Sequence, residues 1–189
     1  MAQAAVQLTY QDLLAMPEDG KRHELIDGVY YVSSAPRPLH QLVLTRLTIA
    51  IGKYLDDHPV GVLLTGPADV VFSEINVVEP DLLYIARERL GIVTEIDVSG
   101  GAPDLVVEIL SPSTRRRDLV LKRRLYESRG VGEYWIVDPR AASIEVLRLE
   151  GGAFRTAAAL GAADELTTPL MPGLAVPLGG LFTDPFRRA

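Results

Sequence analysis

The stretch from Ala102 to Asp138 constrains the fold most tightly. It begins A-P-D-L-V-V-E-I-L-S-P-S-T, passes through a run dense in Arg and Lys, and ends G-V-G-E-Y-W-I-V-D. That pattern predicts strand, helix, strand. Residues 104–110 are nearly continuous in apolar side chains, as in a strand buried on both faces. Glu108 interrupts them. A buried strand does not carry a carboxylate unless something holds it, because an unpaired charge loses its hydration there. Glu108 is therefore the leading candidate for a functional group. Asp104 shares its face by alternation, but the two lie ~13 Å apart along an extended strand, too far to bind one ion together. Asp104 belongs to the entrance of the strand.

Ser113 or Thr114 suits the N-cap of the helix that follows, and Gly130 or Gly132 suits its C-terminal stop. Leu121 with Leu125, and Leu119 with Tyr126, form its apolar side. Asp118 and Lys122 are four residues apart, the spacing of a surface ion pair. Seven Lys or Arg against two acids between Arg115 and Arg129 make this helix locally basic on a chain of net charge −6. An acidic protein overall is not a general DNA-coating protein, yet a local basic helix allows a docked polyanion. A solvated helix face accounts for the same charges.

At 189 residues a single domain over 1–189 is expected, with 1–8 a loose tail and 170–189 an irregular segment wrapping the body. The chain has no cysteine, which excludes disulfides, thiol catalysis and Cys-ligated zinc. Neither a signal-peptide pattern nor an apolar run of the ~20 residues a membrane span needs is present, so a cytoplasmic protein without membrane contact is expected.

Thr9 and Asp12 form a capping pair for a short helix ending near Met16. In H-E-L-I-D-G-V-Y-Y-V, Asp27-Gly28 predicts a tight hairpin. Glu24 lies on its incoming strand, either facing solvent or aimed at a site. Leu39 to Asp57 reads as a helix with Val43, Leu47, Ala50, Ile51 and Tyr54 on its buried stripe and His40 near its start. Residues 60–65 and 68–73 read as strands. A third extended run starts at Val77 and continues to Ile85, placing Asp81 early in a central strand. Residues 86–103 read as a loop with a short helix near 87–90. Glu133–Asp138 is a strand anchored by Trp135, and residues 143–149 and 153–159 pair as a hairpin, with a further strand near 165–168.

Two carboxylates on neighbouring strands, Asp81 and Glu108, make a hard-oxygen site suited to Mg²⁺ or Mn²⁺. Such an ion polarises a phosphodiester and lowers the pKa of a bound water. A nearby lysine can then stabilise the developing charge.

The motifs H-E-L-I-D-G (23–28), R-P-L-H-Q (37–41), E-P-D-L-L-Y-I (79–85), A-P-D-L-V-V-E-I-L-S-P-S-T (102–114), then Asp118, Lys122 and Tyr126, and G-V-G-E-Y-W-I-V-D-P (130–139) resemble those of the Uma-two family of restriction endonucleases, within the PD-(D/E)xK nuclease superfamily. The resemblance runs from about Thr9 to Phe182. It implies an α/β fold with a restriction-endonuclease-like core, a mixed central sheet flanked by helices. To this the N-terminal hairpin and C-terminal strands are added. It further implies Asp81 as the "PD" aspartate, Glu108 as the acid of the D/E-x-K element, and Glu24 as an added carboxylate. Leu110 stands where that element has its lysine, and Lys122 is the candidate for a relocated one.

The expected function is thus a Mg²⁺- or Mn²⁺-dependent endonuclease acting on DNA. Asp81, Glu108 and Glu24 would hold metal and Lys122 would assist the chemistry. His40, Arg115, Arg116 and Arg123 would contact substrate, and a homodimer would address both strands. The alternative is a nuclease-fold module that binds nucleic acid or a protein without cutting. A two-carboxylate glycosidase needs no lysine and finds few aromatic sugar platforms in a chain with 6% aromatics.

Overall fold

The computed structural model describes residues 7–17 and 19–186. Most of the expected N-terminal tail, residues 1–6, lies outside them, as do residues 187–189. The tail ends earlier than the sequence suggests, because the Leu8 amide donates to the Gly28 carbonyl at 3.2 Å and Leu8 packs on Tyr10, Leu25 and Val77.

The first helix, α1 (Tyr10–Leu14), starts at Thr9, whose amide and hydroxyl both donate to Asp12 at 2.7 Å. Strands β1 (Arg22–Ile26) and β2 (Val29–Ser33) join through Asp27-Gly28. Both turn residues have positive φ, 53° and 74°, which a two-residue hairpin turn demands and Asp-Gly supplies cheaply. Helix α2 (Pro38–Asp57) opens with proline at its first turn, where the missing N–H costs nothing, and buries Val43, Leu47 and Ile51.

After β3 (Gly61–Thr65) and β4 (Val70–Ser73), the run expected to form one strand is two: β5 (Asn76–Val78) and β6 (Leu82–Ala86). They lie in different sheets, and Glu79-Pro80-Asp81 is the crossing. A proline has no N–H for a ladder, so the chain changes partners there. A 3₁₀ turn (Arg87–Ile92) and the two-residue β7 (Val98–Ser99) follow, then β8 (Leu105–Ile109), all five residues buried. The next helix runs from Arg115, and its Arg117–Lys122 segment is a π-helix continuing into α3 (Arg123–Arg129). Thr114 stands at its N-cap position, its carbonyl accepting the Asp118 amide at 3.0 Å and its own amide donating to the Ser111 hydroxyl at 3.2 Å. Gly130 ends it in the left-handed region. Strands β9 (Glu133–Asp138), β10 (Ser143–Glu150), β11 (Ala153–Gly161), β12 (Glu165–Leu166) and β13 (Val176–Pro177), with the short α4 (Leu178–Leu181), complete the described chain.

The fold is mixed α/β. A six-stranded sheet has the order β11-β10-β9-β8-β6-β3, antiparallel except for the parallel β8/β9 pair that the intervening helix permits. A five-stranded sheet has the order β2-β1-β5-β4-β7. Alternation along β8 divides the core. Leu105, Val107 and Ile109 share a cluster with Val43, Leu47, Ile51, Trp135 and the C-terminal Met171, Leu174 and Leu178. Val106 and Leu110 join Leu125, Tyr126, Ile26, Val70 and Val78 in the other cluster. Glu108 therefore points between the large sheet, the small sheet and the basic helix. Among the described residues no helix is long and apolar enough to cross a membrane.

Candidate active site

The pairing of β6 with β8 sets the geometry. Leu82 pairs with Val107, so Asp81 stands one step further on, beside Glu108, with both side chains on one face. Hairpin β1–β2 brings Glu24 from the small sheet, and the basic helix brings Lys122. All four are buried, with relative exposures of 1% for Glu24, 2% for Asp81, 3% for Glu108 and 2% for Lys122. They line one cavity of about 180 Å³, together with His40 from the start of α2.

Asp81 accepts from Arg22 Nη1 at 2.6 Å on Oδ1, and from the Ile109 amide at 2.7 Å and His40 Nε2 at 3.1 Å on Oδ2. Burial alone would raise its pKa. The His40 hydrogen bond and charge, Arg22 and the Ile109 amide outweigh burial and hold it down at about 2. Glu108 has the opposite balance. Burial pushes its carboxyl up to about 8 against the pull of Lys122, and Asp118, Asp81 and Glu24 add to the rise. Its Oε1 accepts from Lys122 Nζ at 2.8 Å and from the Tyr126 hydroxyl at 2.7 Å. Lys122 Nζ also lies 2.5 Å from Glu24 Oε1 and 4.0 Å from Asp118 Oδ1. Despite its burial, Glu108, Glu24 and Asp118 together hold Lys122 charged, well above the usual lysine value. Glu24 completes the cluster, accepting the Glu79 amide at 2.9 Å, with Arg117 Nη2 3.3 Å from its Oε2.

The pairing of Asp118 with Lys122 is thus no surface ion pair. Both are buried, and Asp118 Oδ1 has no hydrogen-bond partner. Leu110, in the place of the motif lysine, is buried in the apolar cluster, while the Lys122 ammonium occupies the space beside Glu108. Of the arginines expected at substrate, Arg115 pairs with Asp138 at 2.6 Å and is half-exposed, so its charge is already met elsewhere. Arg123 is not part of the cavity wall, and Arg116 lines an adjoining cleft. Asp104 accepts from Arg89 at 2.5 Å and from the Ala86 amide at 2.8 Å, a structural role at the strand entrance.

Sequence reasoning missed Arg22, Arg117 and Asp118. Arg22 carried a signal, since it lies two residues before Glu24 and so shares its strand face. Asp118 stood among the family motif residues but read as half of a surface ion pair, and nothing local set Arg117 apart from the other basic residues of its helix.

Among the described residues no group of three His, Cys, Asp or Glu side chains is close enough to hold a metal ion as it stands. The donor chemistry nevertheless fits a hard divalent cation. Asp81 and Glu108 supply adjacent carboxylates, and Glu108 Oε2 takes no hydrogen bond from the described residues.

Comparison with known proteins gives the family and the fold. The family profile of Uma2, described as "Putative restriction endonuclease", matches residues 10–179. The chain belongs to the Uma2 family. Its fold is similar to that in the crystal structure of a putative nuclease belonging to DUF820 from Anabaena variabilis. That protein is 18% identical, with a TM-score of 0.77 over 93% of this chain and 97% of the other. No curated protein matches the sequence.

Proposed function

We propose that this Uma2 member is a divalent-metal-dependent endonuclease that hydrolyses DNA phosphodiester bonds. The observation that carries the reading is the convergence of Asp81, Glu108 and Lys122, from three separate elements, on one cavity. Asp81 and Glu108 would hold Mg²⁺ or Mn²⁺, which when bound supplies a polarised phosphate and an acidified water. Glu24 assists from across the cluster. Arg22, His40 and the Ile109 amide keep Asp81 ionised and oriented. Lys122 has three N–H donors, and Glu24 and Glu108 engage two of them. The third is left to stabilise charge on a phosphate oxygen as water attacks and the P–O bond breaks. A lysine on the helix thereby does the work that position 110 cannot. Two copies related by a two-fold axis would address the two strands of a duplex.

The test is nicking of supercoiled plasmid in Mg²⁺ or Mn²⁺ against a chelator control. Wild type is expected to cut only with metal. Glu108→Gln and Lys122→Met are each expected to lower the rate on the order of 100-fold or more. Equal cutting by wild type and both variants sinks the reading, and DNA binding without cutting by wild type points to a non-catalytic module.

A further inference from the structure

Beside the candidate active site lies a larger and less polar cleft, of about 540 Å³. Its walls are Tyr31 and Val32 of the hairpin, Val120 and Leu121 of the π-helical segment, and Arg116 and Arg117. Ser113 and Arg117 line both cavities, so the two spaces adjoin. The volume falls within the ~300–1,000 Å³ of small-molecule sites. Val32 and Val120 are 45% and 38% exposed here. Tyr31 presents an aromatic face that a guanidinium already uses: Arg117 lies 5.5 Å from its ring centroid. Arg116 is exposed at the rim.

We infer that this cleft receives one unpaired nucleobase of the nucleic-acid substrate, next to the phosphate held in the catalytic cavity. The inference rests on the nuclease reading. A nucleobase is flat and apolar on its faces and is tethered to an anionic backbone. It needs apolar walls and a stacking partner with cations alongside, and the cleft supplies all three. A duplex keeps its bases stacked inside, so a base reaches this cleft only from a single strand, an overhang or an extruded position. Charge decides against a basic or purely apolar protein partner as occupant, and adjacency to the catalytic cavity decides for the nucleic-acid substrate over an acidic peptide. Two arginines flank the apolar wall, no acidic side chain lines it, and it shares Ser113 and Arg117 with the cavity of the proposed scissile phosphate. The enzyme is therefore selective for DNA containing unpaired nucleotides.

The test uses the full chain, with chelator present so that nothing is cut. Binding is measured to a matched duplex, to the same duplex with a short overhang, and to a single strand, the last two carrying 2-aminopurine at an unpaired position. Wild type is expected to favour the unpaired substrates by roughly tenfold and to change the fluorescence of the probe base on binding. Val120→Glu and Val32→Glu lie outside the catalytic cluster. Each is expected to abolish that preference and the fluorescence change, while any electrostatic weakening falls equally on all three substrates. Equal wild-type affinity for all three overturns the proposal, as does a preference that survives both variants. A wild-type dimer that either variant splits in sedimentation, with the preference intact, assigns the cleft to a second copy of the chain and also overturns it. Failure of wild type to cut any of the three DNAs in Mn²⁺ defeats the nuclease reading instead, a separate outcome from loss of base selectivity.

Discussion

At the scale of single residues, the carboxyl of Glu108 is held between opposing influences. Burial favours its neutral form, and Lys122 and Tyr126 favour its anion. The tyrosine hydroxyl donates to Oε1 and touches no other acid, so its contribution is separable. Tyr126→Phe keeps the ring, which packs edge-on to Tyr134 at 5.1 Å between centroids, and removes only the donor. The anion of Glu108 then loses a hydrogen bond, and its pKa moves further above about 8. The expected result is a cleavage rate whose acid limb shifts to higher pH, with a stability loss of about 1–2 kcal/mol. A pH–rate profile and a urea titration check the two parts. An unshifted limb removes Glu108 from the group that must ionise for cleavage.

At the scale of elements, local windows of sequence revealed most of the parts but not their joints. The apolar run with Glu108 inside it, the Asp-Gly hairpin and the stripe of α2 each follow from periodicity and turn chemistry alone, and all three stand in the structure. The split of one extended run at Pro80 was illegible because β5 and β6 are equally apolar, and only their partner strands distinguish them. Burial of Asp118 and Lys122 was illegible because their neutralising partners come from distant strands. Arg22 and Asp81 are a parallel case, 59 residues apart in sequence. Glu133 was missed for the same reason. It is a buried carboxylate at the start of β9, yet Trp135 Nε1 donates to it at 2.9 Å, Thr168 at 3.0 Å and Arg148 Nε at 2.6 Å. It pins β10 and the C-terminal segment to the central sheet, and neither it nor these partners line the catalytic cavity. Glu133→Ala leaves these donors without their acceptor, and a cost of about 3 kcal/mol is expected. Urea denaturation should show that loss while plasmid cleavage at low temperature stays near wild type. A coincident loss of cleavage would mean that the C-terminal segment supports the site directly.

At the scale of the whole molecule, the cavity is a store of buried carboxyl groups. Four carboxyl groups (Glu24, Asp81, Glu108 and Asp118) and four fixed cations (Arg22, Arg37, Arg117 and Lys122) line it, but Arg37 forms no ion pair with any of these acids. The cluster answers by keeping protons: Glu108 is raised to about 8, and Asp118 is raised as well, chiefly by burial. Between the ordinary carboxyl range and 8 the folded protein thus binds more protons than the unfolded chain. Stability must fall as pH rises through that window. Asp81, held at about 2, acts in the opposite sense, but only in strong acid. A divalent cation would stabilise the carboxylate form of Glu108, and it competes with the proton there. In chelator, the melting temperature is therefore expected to drop from about pH 5 to about pH 9. Mn²⁺ at about 1 mM is expected to restore it at the alkaline end and to have little effect at the acid end. Glu108→Gln fixes the group neutral, so it should flatten the pH slope and remove most of the metal response. Thermal scans of both proteins, with and without Mn²⁺ across that range, read both effects in the absence of any substrate. A metal response that persists undiminished in Glu108→Gln excludes Glu108 as a ligand, whatever the plasmid assay shows.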